Sequence, residues 1–354
     1  MTDETATEPT APALTYPFTA PEPGAWIEVA PGVRWIRLPL PFKLDHINVW
    51  AIDDGDGWVL VDTGMNTDES LSGWIPLLTE GPMARPLKGV YVTHMHPDHV
   101  GLAGWFTRRA NVPLSMTRLE YLSCRSAVAD TGREAPADGI NFYRRAGWSP
   151  LAIDAYRSRF GGFGKMIHAM PDSFRRIRDG DEFVLGGNTW RVVAGWGHSP
   201  EHACFYCPAL KLLISGDQVL PRISSNVSVH ASEPEADPMS EWYASLAKVK
   251  AEVPDDVLVL PAHNDAFHGL HARLEALGRG QDKAFERLRR TLKTGPKRVI
   301  DVFGALFARP IDATDAPLLG MATGESTACL NYLIGRGEAT RSLDEHGVAW
   351  YRAS

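Results

Sequence analysis

The sequence lacks the features of several special protein classes. Four cysteines in 354 residues are too few for a disulfide scaffold and fit a reducing compartment. No basic residue precedes Arg34, and no apolar run reaches the roughly 18 residues of a membrane span. We therefore expect neither an export signal nor a membrane segment, and we expect a cytoplasmic protein.

The net charge and the length of the chain indicate which partners and how many domains to expect. The net charge of −7 argues against a general attraction to nucleic acid. The contents of 44% hydrophobic and 22% charged residues are ordinary for a globular protein. A length of 354 residues suits one large domain and a small one. We expect a small-molecule substrate as partner, and the sequence leaves room for a homodimer.

The residue pattern divides the chain into three parts. Residues 1–16 are a Thr, Pro, Ala and Glu tail with too little apolar content to fold, and we expect it to be disordered. Residues 17–280 alternate strand and helix patterns, with a helical insertion or lid at about 117–180. Residues 281–354 predict two helices and two short strands, the order of a winged-helix-like module.

A cluster of metal-binding side chains follows a strand-like run, in the stretch VYVTHMHPDHVGLAGW at residues 90–105. In an extended segment His94 and His96 point the same way, because side chains alternate with period two, so both can bind one ion. A turn after Pro97 directs Asp98 and His99 toward a second position. Imidazole nitrogen and carboxylate oxygen are ligands for zinc and iron.

Three more candidate ligands lie at strand ends far along the chain. His198 follows the strand WRVVAG, Asp217 ends LLISGD, and His263 ends VLVLPAH. Loops at strand ends are where a scaffold usually places functional side chains. These positions therefore predict the second half of a metal site.

Five motifs in this order resemble those of the metallo-β-lactamase-fold hydrolases, and most closely their glyoxalase II-like branch. The matching stretches are VLVDTG (59–64), THMHPDHVG (93–101), GHSPEH (197–202), SGD (215–217) and PAH (261–263). The resemblance implies an α/β fold, the αββα sandwich of this family, with the small winged-helix-like domain following it.

The resemblance also implies roles for individual residues. Asp62 would orient ligands, and Asp98 and Asp217 would be catalytic. Two divalent ions are expected, zinc first, with iron or manganese as alternatives, and a hydroxide bridging them would be the nucleophile. The first ion would be held by His94, His96 and His198, the second by Asp98, His99 and His263, and Asp217 would bridge the two.

Candidate substrate contacts are weaker. His202 follows His198 by four residues, and Arg222 and His230 lie in or beside a polar loop after Asp217 that we expect at the rim of the site. A separate C-x-x-C string lies in a strand pattern. Its Cys204 and Cys207 should therefore point to opposite faces and pack in the core.

The leading function is hydrolysis of a thioester, lactone or other ester of a small molecule. A phosphodiesterase or endoribonuclease of the same fold is the alternative, because residues 283–298 contain seven basic residues and one acid. A DNA-binding sensor is a third reading. It is disfavoured because the second helix of the C-terminal module carries only Arg336 as a basic candidate for reading bases.

Overall fold

The computed structural model describes residues 14–354. Most of the predicted tail lies outside this range. Of its last three residues, Thr15 is held in an antiparallel bridge with His268, in which the Thr15 N–H and the His268 N–H each donate to the other residue's carbonyl oxygen. The described end of the predicted tail is therefore paired with the large domain at Thr15.

Two mixed sheets form the centre of the large domain. The first sheet has seven strands in chain order: β1 (Trp26–Ala30), β2 (Val33–Pro39), β3 (His46–Asp54), β4 (Gly57–Val61), β5 (Leu87–Tyr91), β6 (Leu114–Met116) and β7 (Arg175–Arg176). The second sheet has the order β12-β11-β10-β9-β8, with β8 (Glu182–Leu185), β9 (Asn188–Gly195), β10 (His202–Cys207), β11 (Leu212–Gly216) and β12 (Leu258–Pro261).

Ten α-helices lie in the part of the chain that the structure describes. They are α1 (Asp68–Thr79), α2 (Pro97–Val100), α3 (Ala103–Ala110), α4 (Arg118–Ala129), α5 (Ala137–Arg145), α6 (Pro150–Arg159), α7 (Pro238–Glu252), α8 (Leu270–Leu292), α9 (Phe303–Leu306) and α10 (Ala316–Gly335). Short 3₁₀ helices span Phe163–Met166 and Val299–Val302, and a final hairpin pairs β13 (Ala339–Leu343) with β14 (Ala349–Ala353). Within residues 14–354, none of the helices is both long and apolar enough to cross a membrane.

The buried apolar side chains form three layers, one between the two sheets and one on the outer face of each sheet. Strand β2 shows the principle, since Trp35 packs between the two sheets while Ile36 packs toward α1 and α3. Strand β10 does the same with its cysteines: Cys207 lies between the sheets and Cys204 lies on the outer, helix-covered face. Period-two alternation thus produces the predicted αββα layering.

The predicted insertion is packed on two sides. Helix α4 adds Tyr121 and Cys124 to the core above the first sheet. Beyond α5, the Trp148 indole Nε1–H donates to Thr323 Oγ1 of α10 at 2.9 Å in a buried contact. The insertion therefore joins the large domain to the C-terminal segment.

The C-terminal segment has the predicted order of helices followed by a strand pair, and its closer likeness to a winged helix stays a prediction. Twelve of the twenty residues of α10 are buried. The Asn331 side-chain amide donates to the carbonyls of Pro234 and Ala236, at 3.0 and 2.9 Å. Helix α10 is therefore fastened to the loop that follows β11.

Gly104 of α3 marks a close approach between that helix and the segment ending the insertion. A Cβ atom at this position would lie 1.9 Å from the Ala169 carbonyl oxygen. Ala normally stabilises a helix interior by roughly 0.5–1 kcal/mol relative to Gly. We predict the opposite sign for Gly104→Ala, a loss of about 1–3 kcal/mol, because the two backbones must move apart.

Gly280→Ala is the matched control, since Gly280 lies in α8 with nothing within 4 Å of the added Cβ atom. It should raise the free energy of unfolding by roughly 0.5–1 kcal/mol in urea titrations. Equal effects of the two substitutions would contradict the close packing of α3.

Candidate metal centre

The histidine motif changes backbone conformation in its middle. Strand β5 ends at Tyr91, an irregular segment carries His94 and His96, and α2 begins at Pro97. Proline suits the first helical position because its φ angle is preset and its missing N–H is not needed there. One helical turn then turns Asp98 and His99 away from the direction of the two earlier histidines.

The seven predicted ligands form two groups. In each group, every residue offers one potential ligand atom, and these atoms all lie within 4.8 Å of one another. The first group is His94, His96, His198 and Asp217, and the second is Asp98, His99 and His263. Four distant parts of the chain thus meet at one place. The division matches the two ligand sets that the family resemblance implies.

Asp217 lies between the two groups. Its Oδ2 atom is 3.4 Å from His198 Nε2 in the first group. Its Oδ1 atom is 3.4 Å from His263 Nε2 and 3.7 Å from His99 Nε2 in the second. Each carboxylate oxygen therefore faces a different group.

Atoms left without partners show that these residues fit a metal. Among the described residues, His99 Nε2 and Asp217 Oδ1 are buried and make no hydrogen bond, although buried polar atoms are normally paired. His94 Nε2 also lies 2.9 Å from His96 Nδ1 and 3.3 Å from His198 Nε2. Converging imidazole nitrogens and a carboxylate oxygen are a donor set suited to zinc or a similar divalent ion.

The ring orientation of three ligand histidines is set by a hydrogen bond at Nδ1, which leaves Nε2 directed at the centre. Such bonds fix the tautomer and raise the basicity of a metal-binding histidine. The acceptors are Asp62 Oδ2 for His99, the Asn226 carbonyl for His198 and the His46 carbonyl for His263, at 2.8, 2.7 and 2.8 Å.

Asp62 fixes both the ring of His99 and the backbone and side chain of Thr93. Its buried carboxylate accepts hydrogen bonds from the Thr93 N–H, the Thr93 hydroxyl and the His99 ring, each at 2.8 Å. The Thr93 hydroxyl is also 3.0 Å from His94 Nδ1. Asp62 adopts a positive φ of 61°, a conformation that non-glycine residues adopt at functional sites when their surroundings hold them there. This is the arrangement expected of a residue that orients ligands.

Burial and neighbouring charges lower the pKa values of some of the predicted ligands and raise that of His263. Burial and the nearby His198 lower the pKa of His96 to about 3, which keeps its imidazole neutral. Burial also acts to lower the pKa of His263, but Asp217 and Asp98 outweigh it and raise that pKa to about 10. Burial acts to raise the pKa of Asp98, but His99 and His263 lower it to about 2. Positive charge is therefore strongly favoured beside the two aspartates.

The three predicted substrate contacts occupy different surroundings. His202 is buried, its ring stacks on His94 with centroids 4.9 Å apart, and its Nε2 accepts the Asp217 N–H at 3.1 Å. It therefore supports the ligand Asp217 and has no surface to offer a substrate, unlike the predicted role. Arg222 is exposed but paired with Asp265 at 2.7 Å, and His230 is exposed further along the same loop.

Sequence reasoning missed Glu120, which lies fully buried in the first turn of α4. Its carboxyl group accepts hydrogen bonds from the Met95 N–H, the Glu201 N–H and the Ser199 hydroxyl. Burial raises its pKa despite these three bonds. A single glutamate in a helical stretch carries no signal that could reveal this role.

Comparison with known proteins identifies the family. The sequence pattern described as "Metallo-beta-lactamase superfamily" matches residues 43–263. That described as "Metallo-beta-lactamase-like, C-terminal domain" matches residues 285–354. The chain belongs to the metallo-β-lactamase superfamily. The prediction of an enzyme of this superfamily, with its mixed α/β fold, is confirmed.

Individual relatives agree with this assignment. A solved β-lactamase domain protein from Burkholderia ambifaria is 37% identical, with a TM-score of 0.87 over 96% of this chain and 98% of that one. A probable metallo-hydrolase, YqjP, from Bacillus subtilis is 25% identical over 77% of this chain and 84% of its own length. The atrochrysone carboxyl ACP thioesterase of Aspergillus fumigatus is 24% identical over 73% of this chain, and the match spans 47% of that protein.

The raised pKa of His263, about 10, predicts that metal binding releases protons. We expect this histidine to carry a proton at neutral pH in the absence of an ion, because Asp217 and Asp98 lie beside it, whereas a metal ligand must be neutral. Affinity should therefore rise by about tenfold per pH unit between pH 6 and 8 for each proton released. Calorimetric titrations with zinc in buffers of different ionisation enthalpy measure that proton count.

His263→Ala should release fewer protons in the same titrations. A zinc-binding enthalpy that is identical in every buffer would contradict the prediction.

Proposed function

We propose that this protein is a binuclear metal-dependent hydrolase that cleaves a thioester, lactone or other ester of a small molecule. The observation that carries the proposal is the placement of Asp217. Its two oxygens face separate groups of imidazoles, which is the arrangement required of a carboxylate shared by two ions. A site for one ion would not need the second group.

Two divalent ions suit the ligands, zinc first and iron or manganese as alternatives, because the donors are imidazole nitrogen and carboxylate oxygen. When bound, such ions can lower the pKa of a shared water from 15.7 to about 7 and so supply hydroxide at neutral pH. The chain's own contribution is to hold the ligands apart from bulk water, since His94 and His99 are fully buried.

Asp98 is the candidate for proton transfer. Its carboxylate is 3.3 Å from His263 Nε2, and its side chain is 20% exposed, whereas the His99 side chain beside it is 0% exposed. It therefore lies on the solvent side of the centre, where a substrate would enter. From there it can receive a proton and deliver it to the leaving group.

The substrate class rests on resemblance as well as geometry. A relative named as an acyl-carrier-protein thioesterase and the glyoxalase II-like motifs both favour an acyl thioester, including hydroxyacyl-glutathione. A thioester also suits this site because a thiol, with a pKa near 8.5, leaves with little help from an acid. We therefore place thioesters before lactones and other esters.

The contacts of the C-terminal segment give no support to a nucleic-acid function. Helix α10, the predicted recognition helix, is largely buried. Within the basic stretch 283–298, Arg289 pairs with Glu338 at 2.5 Å and Arg298 pairs with Asp301 at 2.8 Å. We therefore keep the phosphodiesterase only as an outcome of the test below.

A hydrolysis panel tests the proposal. The protein should be assayed on an acyl thioester, a lactone, a simple ester, a phosphodiester, a sulfate ester, a lactam and a single-stranded RNA. We expect metal-dependent cleavage of the thioester or other carboxylic esters, lost on chelation and restored by zinc. Cleavage of the phosphodiester or RNA alone would replace the proposal with the nuclease.

Asp217→Asn should reduce turnover by at least about 100-fold and lower the metal content, because one acceptor oxygen becomes an amide donor facing a ligand histidine. His346→Ala is the control, since that side chain is 80% exposed on the final hairpin. Metal content by elemental analysis accompanies the rates. Full activity of Asp217→Asn with both ions bound would overturn the assignment.

Asp98→Asn separates proton transfer from metal binding. If the variant keeps both ions, we expect turnover to fall by about 10²–10⁴-fold, with a larger loss for a poor leaving group than for a thiol. Steady-state rates on a thioester and on the matched alkyl ester measure the difference. Unchanged turnover with both ions bound would exclude Asp98 from proton transfer.

A further inference from the structure

We propose that Glu120 is a positioning residue that fixes the first group of metal ligands, so that the helical insertion is part of the metal site. The inference rests on the two-ion function proposed above. It adds a residue from an element that otherwise supplies none of the ligands.

The contacts of Glu120 connect two ligand loops. Its Oε2 atom accepts the Met95 N–H at 2.8 Å, and Met95 stands between His94 and His96. Its Oε1 atom accepts the Ser199 hydroxyl at 2.6 Å and the Glu201 N–H at 2.7 Å, just beyond His198. One carboxyl group thus holds the two loops that supply all three histidines of the first group.

The same loop is also fastened to the start of α4. The Thr117 hydroxyl donates to the Glu201 carbonyl at 2.7 Å, and the Leu119 N–H donates to a Glu201 carboxylate oxygen at 3.0 Å. Helix α4 has no cap from its own N-cap side chain, and Glu201 supplies one. Glu120 of the helix therefore holds the loop, and Glu201 of the loop holds the start of the helix.

The second group is held by other residues. The Asp62 carboxylate accepts a hydrogen bond from the ring of His99, and the His46 carbonyl binds the ring of His263. Glu120 makes no hydrogen bond with Asp98, His99 or His263 themselves, and its contact with the Met95 N–H lies three residues before Asp98. Loss of Glu120 should therefore weaken binding of the ion in the first group much more than binding of the ion in the second.

Glu120→Gln is the informative variant because it keeps the shape of the side chain. Its amide nitrogen must face either the Met95 N–H or the Glu201 N–H, so two donors oppose each other and one loop is released. Glu120→Ala removes all three bonds. Cys124→Ala is the matched control, since Cys124 is fully buried four residues later on the same helix and forms none of these bonds.

The experiment measures cobalt(II) and zinc binding to the full chain by competition with a chromophoric chelator, with the melting temperature recorded for each variant. We expect Glu120→Gln to bind one of its two ions about 10–100-fold more weakly and the other within about twofold of the wild-type affinity. The visible absorption of the cobalt protein should change for that ion alone. Cys124→Ala should lower the melting temperature and leave both affinities unchanged.

Two results would overturn the inference: wild-type affinity for both ions in Glu120→Gln, or an equal loss in Cys124→Ala. If Glu120→Ala does not fold, Glu120→Gln decides. Uptake of a single ion by the wild-type chain would instead refute the two-ion function. The role of Glu120 would then be judged from its effect on that one ion.

Discussion

The structure depends on a cluster of buried polar side chains at the strand ends of its two sheets, where several electron-pair donors lie close together. Five imidazoles and two carboxylates converge there, with His99 Nε2 and Asp217 Oδ1 buried and unpaired. Unpaired buried polar atoms are costly, and a divalent cation removes that cost by accepting their lone pairs. Positive charge is already favoured beside Asp98 and Asp217, as the pKa of His263, raised to about 10, indicates.

The layered fold lowers the conformational entropy that the ligands lose when they converge. Strands β5, β9, β11 and β12 each end near the centre and deliver ligands on the short segments that follow them. Their backbones are fixed by sheet pairing and by apolar packing on both faces. The ligands therefore lose little freedom on binding an ion, because rigid elements have already placed them. Hydrogen bonds at Nδ1 then orient the rings of His99, His198 and His263.

Elements outside the sandwich brace the same centre. The Asn226 carbonyl orients His198, and the Asn226 amide donates to Glu325 of α10 at 2.7 Å. Helix α10 thus reaches a ligand through one intervening residue, as Glu120 of α4 reaches the two histidine loops. The insertion and the C-terminal segment also contact each other through Trp148 and Thr323. Both additions to the sandwich act as supports for the site.

The sequence by itself determined the family, because five motifs in order resemble those of its members, and it pointed to seven candidate ligands at the ends of strand patterns. It also indicated the role of Asp62, through its motif. Only the tertiary structure decided that Asp217 faces both groups, that His202 is buried behind the ligands, and that Glu120 holds two loops. Those facts depend on contacts between residues far apart in the chain, such as His99 with Asp217 and Glu120 with Ser199. No periodicity encodes such contacts, since they arise only when separate elements pack together.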